Sequence, residues 1–156
     1  MKGGALTVER THSLIASMSS LNDVASRVAV ELGVRCATDI SGFGLLGHAS
    51  HIAKASGVTL RFEAGSIPSL PGALEALSLG ITTGGAKRNE RYVTERVSCS
   101  TYVSKEMSAL VVDPQTSGGL LLAIPPAQVD EYLARVNGAV RIGEVLPAGE
   151  RPLVLE

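Results

Sequence analysis

Residues 34–57, VRCATDISGFGLLGHASHIAKASG, contain a strand, a glycine-rich loop and a helix in immediate succession. Residues 34–38 predict a short strand, which runs into the loop at Asp39. The apolar residues of the next segment fall on one face of a helix that ends at Gly57; they are Leu45, Leu46, Ala49, Ile52 and Ala53. A strand that leads directly into a helix is typical of a protein in which helices cover a sheet.

The sequence before this stretch predicts helical structure. Between residues 11 and 32 apolar side chains fall on one stripe of a helix, at Leu14, Met18, Leu21, Ala25, Val28 and Leu32. Gly33 is expected to end the helix as a C-cap would. Ser19, Ser20 and Asn22 are weak helix formers, so a break or kink is expected near them.

The sequence after the opening stretch predicts further strands and helices. Residues 58–63 alternate apolar and polar side chains, which predicts a strand with one buried face. Pro71 suits the first turn of a short helix that reaches Leu79. Residues 80–104 have the least regular pattern of the chain, and residues 109–112 predict a strand that ends in a turn.

The C-terminal third predicts two more strands and one more helix after a buried strand. Residues 120–124 are apolar without alternation, which is typical of a central strand covered on both faces. Pro125 and Pro126 start a helix, a strand follows around Val140 and Ile142, and residues 153–155 predict a short edge strand.

Strands and helices interleave without an internal repeat or a low-complexity linker. We therefore predict one α/β (α+β) domain at residues 11–156, with a mixed β-sheet layered with helices. Residues 1–10 are expected to form an N-terminal extension. Periodicity leaves the strand order open.

The composition limits the classes of function. With 45% hydrophobic and 19% charged residues, the 156-residue chain has the make-up of a well-cored globular protein. A net charge of −1 and only 3% aromatic residues argue against nucleic-acid binding. No apolar run approaches the ~20 residues of a membrane helix. Cys36 and Cys99 have no metal-ligand spacing, and a pair of reduced thiols fits a cytoplasmic protein.

Residues 38–48, TDISGFGLLGH, form the first of three candidate ligand loops. Asp39 leaves the strand, Gly42 and Gly44 allow a tight backbone, and the free N–H groups of the helix start favour a phosphate. Magnesium prefers few carboxylates together with phosphate oxygens, so Asp39 is a candidate Mg²⁺ ligand. The alternative is structural, with Asp39 or Ser41 capping the helix.

Residues 113–119, DPQTSGG, form the second candidate loop. Its glycine pair can adopt backbone angles that are closed to other residues. Thr116, Ser117 and the amide of Gly118 are candidates for an anion-binding concavity. The alternative is a tight connection into the buried strand that follows.

Residues 84–89, GGAKRN, form the third candidate loop. A flexible glycine pair precedes Arg88 and Asn89, and Arg88 offers a bidentate contact to phosphate. A solvated basic loop is the alternative. His48 and His51 lie three residues apart without a third metal ligand nearby, so we expect His48 to pack and hydrogen-bond within the fold.

In this order the three loops resemble those of the selenophosphate synthetases. Residues 38–48 are similar to the TDVTGFGLLGH segment of that family, with Ile40 and Ser41 as the only changes. Residues 113–121 match its DPQTSGGLL segment without a substitution. Shorter matches occur at residues 70–73, 84–89 and 142–145, so the resemblance spans roughly residues 11–147.

The resemblance implies an enzyme of the aminoimidazole ribonucleotide synthetase superfamily that converts ATP, selenide and water to selenophosphate, AMP and phosphate. It implies a homodimer of two-domain subunits, whose N-terminal domain carries a catalytic Cys or selenocysteine, a Lys and most metal-binding aspartates. The C-terminal domain, a mixed α/β layer structure distantly like a ferredoxin fold, supplies one further Mg²⁺-binding aspartate. That aspartate maps onto Asp39, and this chain resembles the C-terminal domain.

The chain departs from the family pattern in one respect. No Gly-Cys-Gly-Cys-Lys-like segment occurs in it, and Cys36 does not map to the nucleophile. We therefore expect no catalytic residue in this chain and no turnover by the chain alone. Three interpretations stay open: the C-terminal domain of a selenophosphate synthetase, a stand-alone module that binds nucleotide or a partner, and a related ATP-dependent synthetase or kinase. The long match at residues 113–121 argues against the third.

Overall fold

The computed structural model describes residues 7–156, and within this range it has seven α-helices and six β-strands. The helices are α1 (Val8–Ser19), α2 (Asp23–Glu31), α3 (Gly44–Ser56), α4 (Ala73–Ser78), α5 (Gly84–Val93), α6 (Lys105–Leu110) and α7 (Pro126–Arg135). The strands are β1 (Cys36–Asp39), β2 (Val58–Phe62), β3 (Val97–Cys99), β4 (Leu120–Ala123), β5 (Gly143–Pro147) and β6 (Leu153–Leu155). The predicted α/β class is confirmed.

The strands form two sheets, although the sequence predicts one. β1 and β4 make an antiparallel pair in which Asp39 lies opposite Leu120. The other four strands are ordered β3-β6-β2-β5, with β6 parallel to β2 and β3, and β5 antiparallel to β2. β6 is therefore an interior strand, and the prediction of an edge strand is wrong. Leu153 and Leu155 are fully buried in it.

The larger core includes side chains from the four-stranded sheet and helix α3. Its buried members are Leu46, Ala49, Ala53, Leu60, Phe62, Val93, Val111, Val112, Leu153 and Leu155. The alternation in β2 places Leu60 and Phe62 in this core, as the sequence predicts. Full burial of such a side chain is worth about 1.5–3 kcal/mol relative to exposure. The start of α3 and the loop before it are thus held on a rigid element.

A smaller core joins α2, α7 and the β1–β4 pair. Its buried members are Val28, Ala29, Tyr132 and Val136, with Leu122 and Ile124 among the residues packed against them. The Tyr132 hydroxyl donates to the carbonyl of Ala25 at 3.2 Å. β4 is only half-buried along its length and pairs with one strand, so it is not the predicted central strand.

Two segments are helical where the sequence predicts other structure. Residues 109–112, predicted as a strand, lie at the end of α6, and the irregular residues 80–104 contain α5 and β3. Both helices have a side-chain N-cap: Ser104 Oγ accepts from the Met107 N–H at 3.1 Å, and Thr83 Oγ1 accepts from the Ala86 N–H at 3.0 Å. A short apolar run does not distinguish a helix from a strand by periodicity.

The ends of the first helices agree with the sequence. The predicted break is confirmed, because α1 ends at Ser19 and α2 begins at Asp23. Gly33 has a φ of 68° and Gly57 a φ of 64°, as expected of glycines that follow helices. The strand predicted around residues 140–142 begins instead at Gly143.

The predicted extension overlaps the first helix. α1 includes residues 8–10, whereas residues 1–6 lie outside the described residues. Among residues 7–156, no helix has both the length and the apolar character required to cross a membrane.

Candidate functional site

The side chain of Asn89 links the three candidate loops through hydrogen bonds. Its side chain lies on α5 and is 7% exposed, and its amide nitrogen donates to the carbonyl oxygens of Gly42 and Val112, each at 2.9 Å. Gly42 belongs to the loop between β1 and α3, and Val112 directly precedes residues 113–119. The three loops predicted from the sequence therefore meet in space. Because both amide hydrogens of Asn89 bind backbone, this residue positions the loops.

Further contacts join the start of α5 to residues 113–119. The Thr83 hydroxyl donates to a carboxylate oxygen of Asp113 at 3.4 Å. Burial raises the pKa of Asp113, and the hydrogen bond from Thr83 opposes that shift. A Cβ on Gly85 would lie 2.6 Å from Pro114 Cγ, so a glycine permits this close approach. The structure thereby holds the second and third loops against each other.

Two amides at the start of α3 donate to backbone carbonyls. The amide of Gly44 donates to Ser41 O, and the amide of Leu46 donates to Val111 O, each at 3.0 Å. Gly44 has a φ of 67°, and a Cβ there would lie 2.7 Å from the carbonyl carbon of Val112. The expectation of free N–H groups at this helix start is therefore wrong for the amides of Gly44 and Leu46, because backbone carbonyls already accept from them.

The start of α5 differs from that of α3 because a side chain caps it. Thr83 caps it by accepting from the Ala86 N–H, which leaves the first two amides, those of Gly84 and Gly85, without a protein acceptor among residues 7–156. Lys87 and Arg88 are exposed on the first turns, and Arg88 Nη1 would lie 3.8 Å from a Cβ on Gly84. The prediction of a flexible loop is wrong here, because residues 84–89 are helical.

At residues 118–119 only Gly118 lies so close to another segment that a side chain would not fit. Neither Gly118 nor Gly119 has a positive φ, so the expected use of unusual backbone angles is wrong. A Cβ on Gly118 would overlap the carbonyl oxygen of Ile40. The Ile40 N–H donates to Gly119 O at 2.9 Å, which ties the first loop to the second. Thr116 and Ser117 are exposed.

Asp39 ends β1 as an exposed residue. It does not cap α3, whose N-cap residue is Phe43 and has no side-chain cap bond, so the capping alternative is wrong for Asp39 and Ser41. Within residues 7–156 no three His, Cys, Asp or Glu side chains cluster as a metal site. A single exposed carboxylate fits Mg²⁺ as one ligand among phosphate oxygens, water and groups from elsewhere.

His48 packs and hydrogen-bonds within the fold, as predicted. Its Nε2 accepts from the Ser41 N–H at 3.1 Å and lies 3.2 Å from Ser41 Oγ. Burial lowers the pKa of His48; the charge of Asp39 opposes this shift, and His51 adds to it. His51 Nε2 lies 3.1 Å from the Tyr92 hydroxyl. The neutral imidazole of His48 therefore holds the loop before α3.

Two residues that support these loops, Thr83 and Asn22, are not among the predicted site residues. Thr83 directly before the glycine pair is a helix N-cap pattern, and it could have been used to predict α5. Asn22 donates through its side-chain amide to Gly118 O at 3.0 Å, across 96 residues of sequence. No local pattern indicates the second contact.

Comparison with known proteins identifies relatives over nearly the whole chain. The sequence model of the family described as AIR synthase related protein, C-terminal domain, matches residues 11–154. The selenide, water dikinase of Caldanaerobacter subterraneus subsp. tengcongensis is 40% identical over 141 residues, which cover 90% of this chain and 41% of the relative. The selenide, water dikinase of Clostridium botulinum strain Eklund 17B is 37% identical over 143 residues, which cover 89% of this chain and 41% of the relative.

The chain spans less than half the length of these curated relatives and matches their C-terminal part. Among solved structures, thiamine monophosphate kinase from Aquifex aeolicus superposes with a TM-score of 0.41 at 15% identity, over 94% of this chain and 45% of that one. That superposition is too loose to support a statement about fold or function.

Proposed function

The chain belongs to the family described as AIR synthase related protein, C-terminal domain, and from this membership we propose that it forms the C-terminal part of an ATP-dependent selenophosphate synthetase. The reaction converts ATP, selenide and water to selenophosphate, AMP and phosphate. In this proposal the chain contributes to the nucleotide and Mg²⁺ site, and the nucleophile belongs to the part of the polypeptide that precedes it. The names of the relatives support the choice of reaction.

The observation that carries the proposal is the convergence of the three loops on Asn89. Its two hydrogen bonds fix the backbone at Gly42 and at Val112, and its own helix brings Gly84 and Gly85 to the same place. A phosphoryl-transfer enzyme depends mainly on such positioning and on electrostatic stabilisation of the phosphates. Loops that lie far apart in sequence but share one buried amide are suited to this task.

We assign distinct roles to the residues of these loops. Asp39 is proposed to bind Mg²⁺, which neutralises phosphate charge when bound. The amides of Gly84 and Gly85 are proposed to contact phosphate oxygens, because they have no protein acceptor in residues 7–156. Arg88 is proposed to contact the same phosphate, because its side chain is exposed and positively charged. Thr116 and Ser117 are exposed and remain candidates for nucleotide contacts.

Gly42, Gly44, Gly118 and Asn89 are proposed to shape the loops. Gly42 is exposed at the tip of the first loop, and Gly44 and Gly118 permit the close backbone contacts that shape it. Asn89 holds that shape. For the assembled enzyme we propose a cytoplasmic homodimer that acts on ATP and selenide, with the preceding N-terminal domain as the partner of this chain.

The test joins this chain to the part of the Caldanaerobacter relative that precedes its matched segment. The fusion is expected to release AMP in the presence of ATP, Mg²⁺ and selenide, whereas the chain alone is not. Asp39→Asn in the fusion should lower the rate by at least about 100-fold, as loss of a metal ligand does. The same change should leave the melting temperature of the chain nearly unchanged, because Asp39 is exposed.

Asp130→Asn, at an exposed carboxylate on α7, is the matched control and should leave the rate unchanged. AMP release that is selenide-independent in the fusion would support a different ATP-dependent synthetase. A chain that binds ATP tightly by itself, while the fusion stays inactive, would support the stand-alone module. Equal rates for the Asp39→Asn and parent fusions would exclude the proposed metal role.

A further inference from the structure

Helix α1 leaves most of its large apolar side chains exposed. Val8, Ile15 and Met18 lie on one side of the helix and are exposed, Val8 to 72%. The half-buried residues of the helix are Arg10, Thr11, Ser13, Leu14 and Ser17, of which only Leu14 is a large apolar residue. An amphipathic helix on a globular protein normally presents its apolar face to the core. In α1 three of the four large apolar side chains are exposed instead, and only Leu14 is half-buried.

Few contacts attach α1 to the rest of the described chain. No residue of α1 is buried, and none belongs to either core cluster or to the residues packed against them. Arg10 forms an ion pair with Glu75 of α4 and lies against Gly72. Isolated helices shorter than ~12–15 residues are marginal in water and depend on packing of their apolar face. The 12-residue α1 lacks such packing here.

Two apolar side chains that follow α1 in sequence are also exposed. Leu21, in the connection to α2, is 79% exposed, and Val24 on α2 is exposed as well. We call Val8, Ile15, Met18, Leu21 and Val24 the α1 face. Single exposed apolar side chains need no explanation, whereas a run of them along one helix marks an interaction site.

We propose that the α1 face docks against an apolar surface of the polypeptide that precedes this segment in the full-length enzyme. This inference rests on the proposed function, because it takes the chain as the C-terminal part of a longer protein. The relatives contain more than half their length outside the matched segment, and that segment is C-terminal. α1 is the first described element, so it lies closest in sequence to the preceding part.

The fusion with the preceding part of the Caldanaerobacter relative tests this assignment by hydrogen exchange. The amides of α1 are expected to exchange at least about 10-fold more slowly in the fusion than in the chain alone, since docking supplies the missing packing. Ile15→Glu in the fusion should restore fast exchange. Val140→Glu, at an apolar residue that is equally exposed but distant in sequence, should leave the slow exchange unchanged.

The chain alone provides a second measurement that does not depend on the fusion. Ile15→Glu should leave its urea midpoint unchanged, because the side chain is exposed there. A clearly lower midpoint would overturn the proposal, since the α1 face would then already pack within this chain. Sedimentation of the chain alone is expected to show a monomer, and a dimer that Ile15→Glu dissociates would assign the face to a second copy instead.

AMP release by the fusion separates the two proposals. Slow exchange in α1 without AMP release would support the docking and count against the proposed reaction. AMP release with fast exchange in α1 would support the reaction and overturn the docking.

Discussion

The starts of α3 and α5 share a glycine-rich sequence but differ in what their amides bind. At α3 the amides of Gly44 and Leu46 donate to the chain's own carbonyls, and Gly44 fits only because it lacks a side chain. At α5 a threonine caps the helix, and the amides of Gly84 and Gly85 have no protein acceptor in residues 7–156. At α3 two of the first amides donate to backbone carbonyls, whereas at α5 the first two amides have no protein acceptor in residues 7–156.

The difference teaches that glycine at a helix start has two separate uses. At α3 glycine allows the 111–112 backbone to approach, so its role is structural. At α5 Gly85 allows Pro114 to approach, whereas a Cβ on Gly84 would make only an ordinary contact with Arg88 Nη1 at 3.8 Å. We therefore assign the proposed phosphate contact to the start of α5. The loop before α3 has the longer motif, but its glycine serves the contact with the 111–112 backbone.

The largest effect is expected from Gly44→Ala. The residue has a φ of 67°, and the new Cβ would lie 2.7 Å from the carbonyl carbon of Val112. We expect a loss of about 2–4 kcal/mol in the free energy of unfolding, since left-handed strain and a backbone clash add. Urea denaturation with an unchanged slope measures it. Gly84→Ala is the matched control and should change stability by less than about 0.5 kcal/mol. Equal losses in both variants would remove the distinction between the two helix starts.

The next effect is expected from Asn89→Leu. This change leaves the carbonyl oxygens of Gly42 and Val112 without their donor in a buried place. We expect a loss of about 2 kcal/mol in the free energy of unfolding, within the range for unsatisfied buried groups. Asn137→Leu, at an exposed asparagine, should have little effect on the same urea midpoint. A stable Asn89→Leu variant would mean that the loops are held together by other contacts.

The sequence predicts the α/β class, the helix break and the glycines that end helices, because periodicity and capping are local. It does not predict that residues 109–110 end a helix and 111–112 form the turn after it, since a short apolar run has no period to read. It also singles out three segments that the structure brings together around Asn89. Their meeting depends on Asn89, and the role of that side chain follows only from the distant carbonyls that surround it.

A smaller effect is expected from Gly85→Ala. Its Cβ would lie 2.6 Å from Pro114 Cγ, while alanine in a helix recovers part of the loss through its higher propensity. We expect a net loss of about 1 kcal/mol in unfolding free energy, typical of mild overpacking. In a Pro114→Ala background the same substitution should be neutral or stabilising. Urea midpoints of the four proteins give the coupling, and additive losses would contradict the contact.

The smallest expected effect is on the pH dependence of the melting temperature, through His48 at the start of α3. His48 Nε2 accepts from the Ser41 N–H at the start of α3, which requires a neutral ring. Because burial lowers the pKa of His48 below its ordinary 6.5, the stability that it contributes is full above pH 6.5. That contribution is lost as the pH falls from 6.5 through the folded-state pKa. The melting temperature should therefore fall slightly less between pH 7.5 and pH 5.5 in His48→Gln than in the parent chain.

His12→Gln is the control for this comparison, because His12 is exposed on α1 and should keep the parent's dependence on pH. The pKa of Asp113 is shifted in the opposite direction, and its contribution is present in both parent and variant, so it cancels in the difference. The amide side chain of Gln offers an acceptor for the Ser41 N–H that does not titrate in this range. If His48→Gln and the parent lose the same amount of melting temperature, protonation of His48 does not open the start of α3. The pH dependence would then have to come from groups elsewhere in the chain.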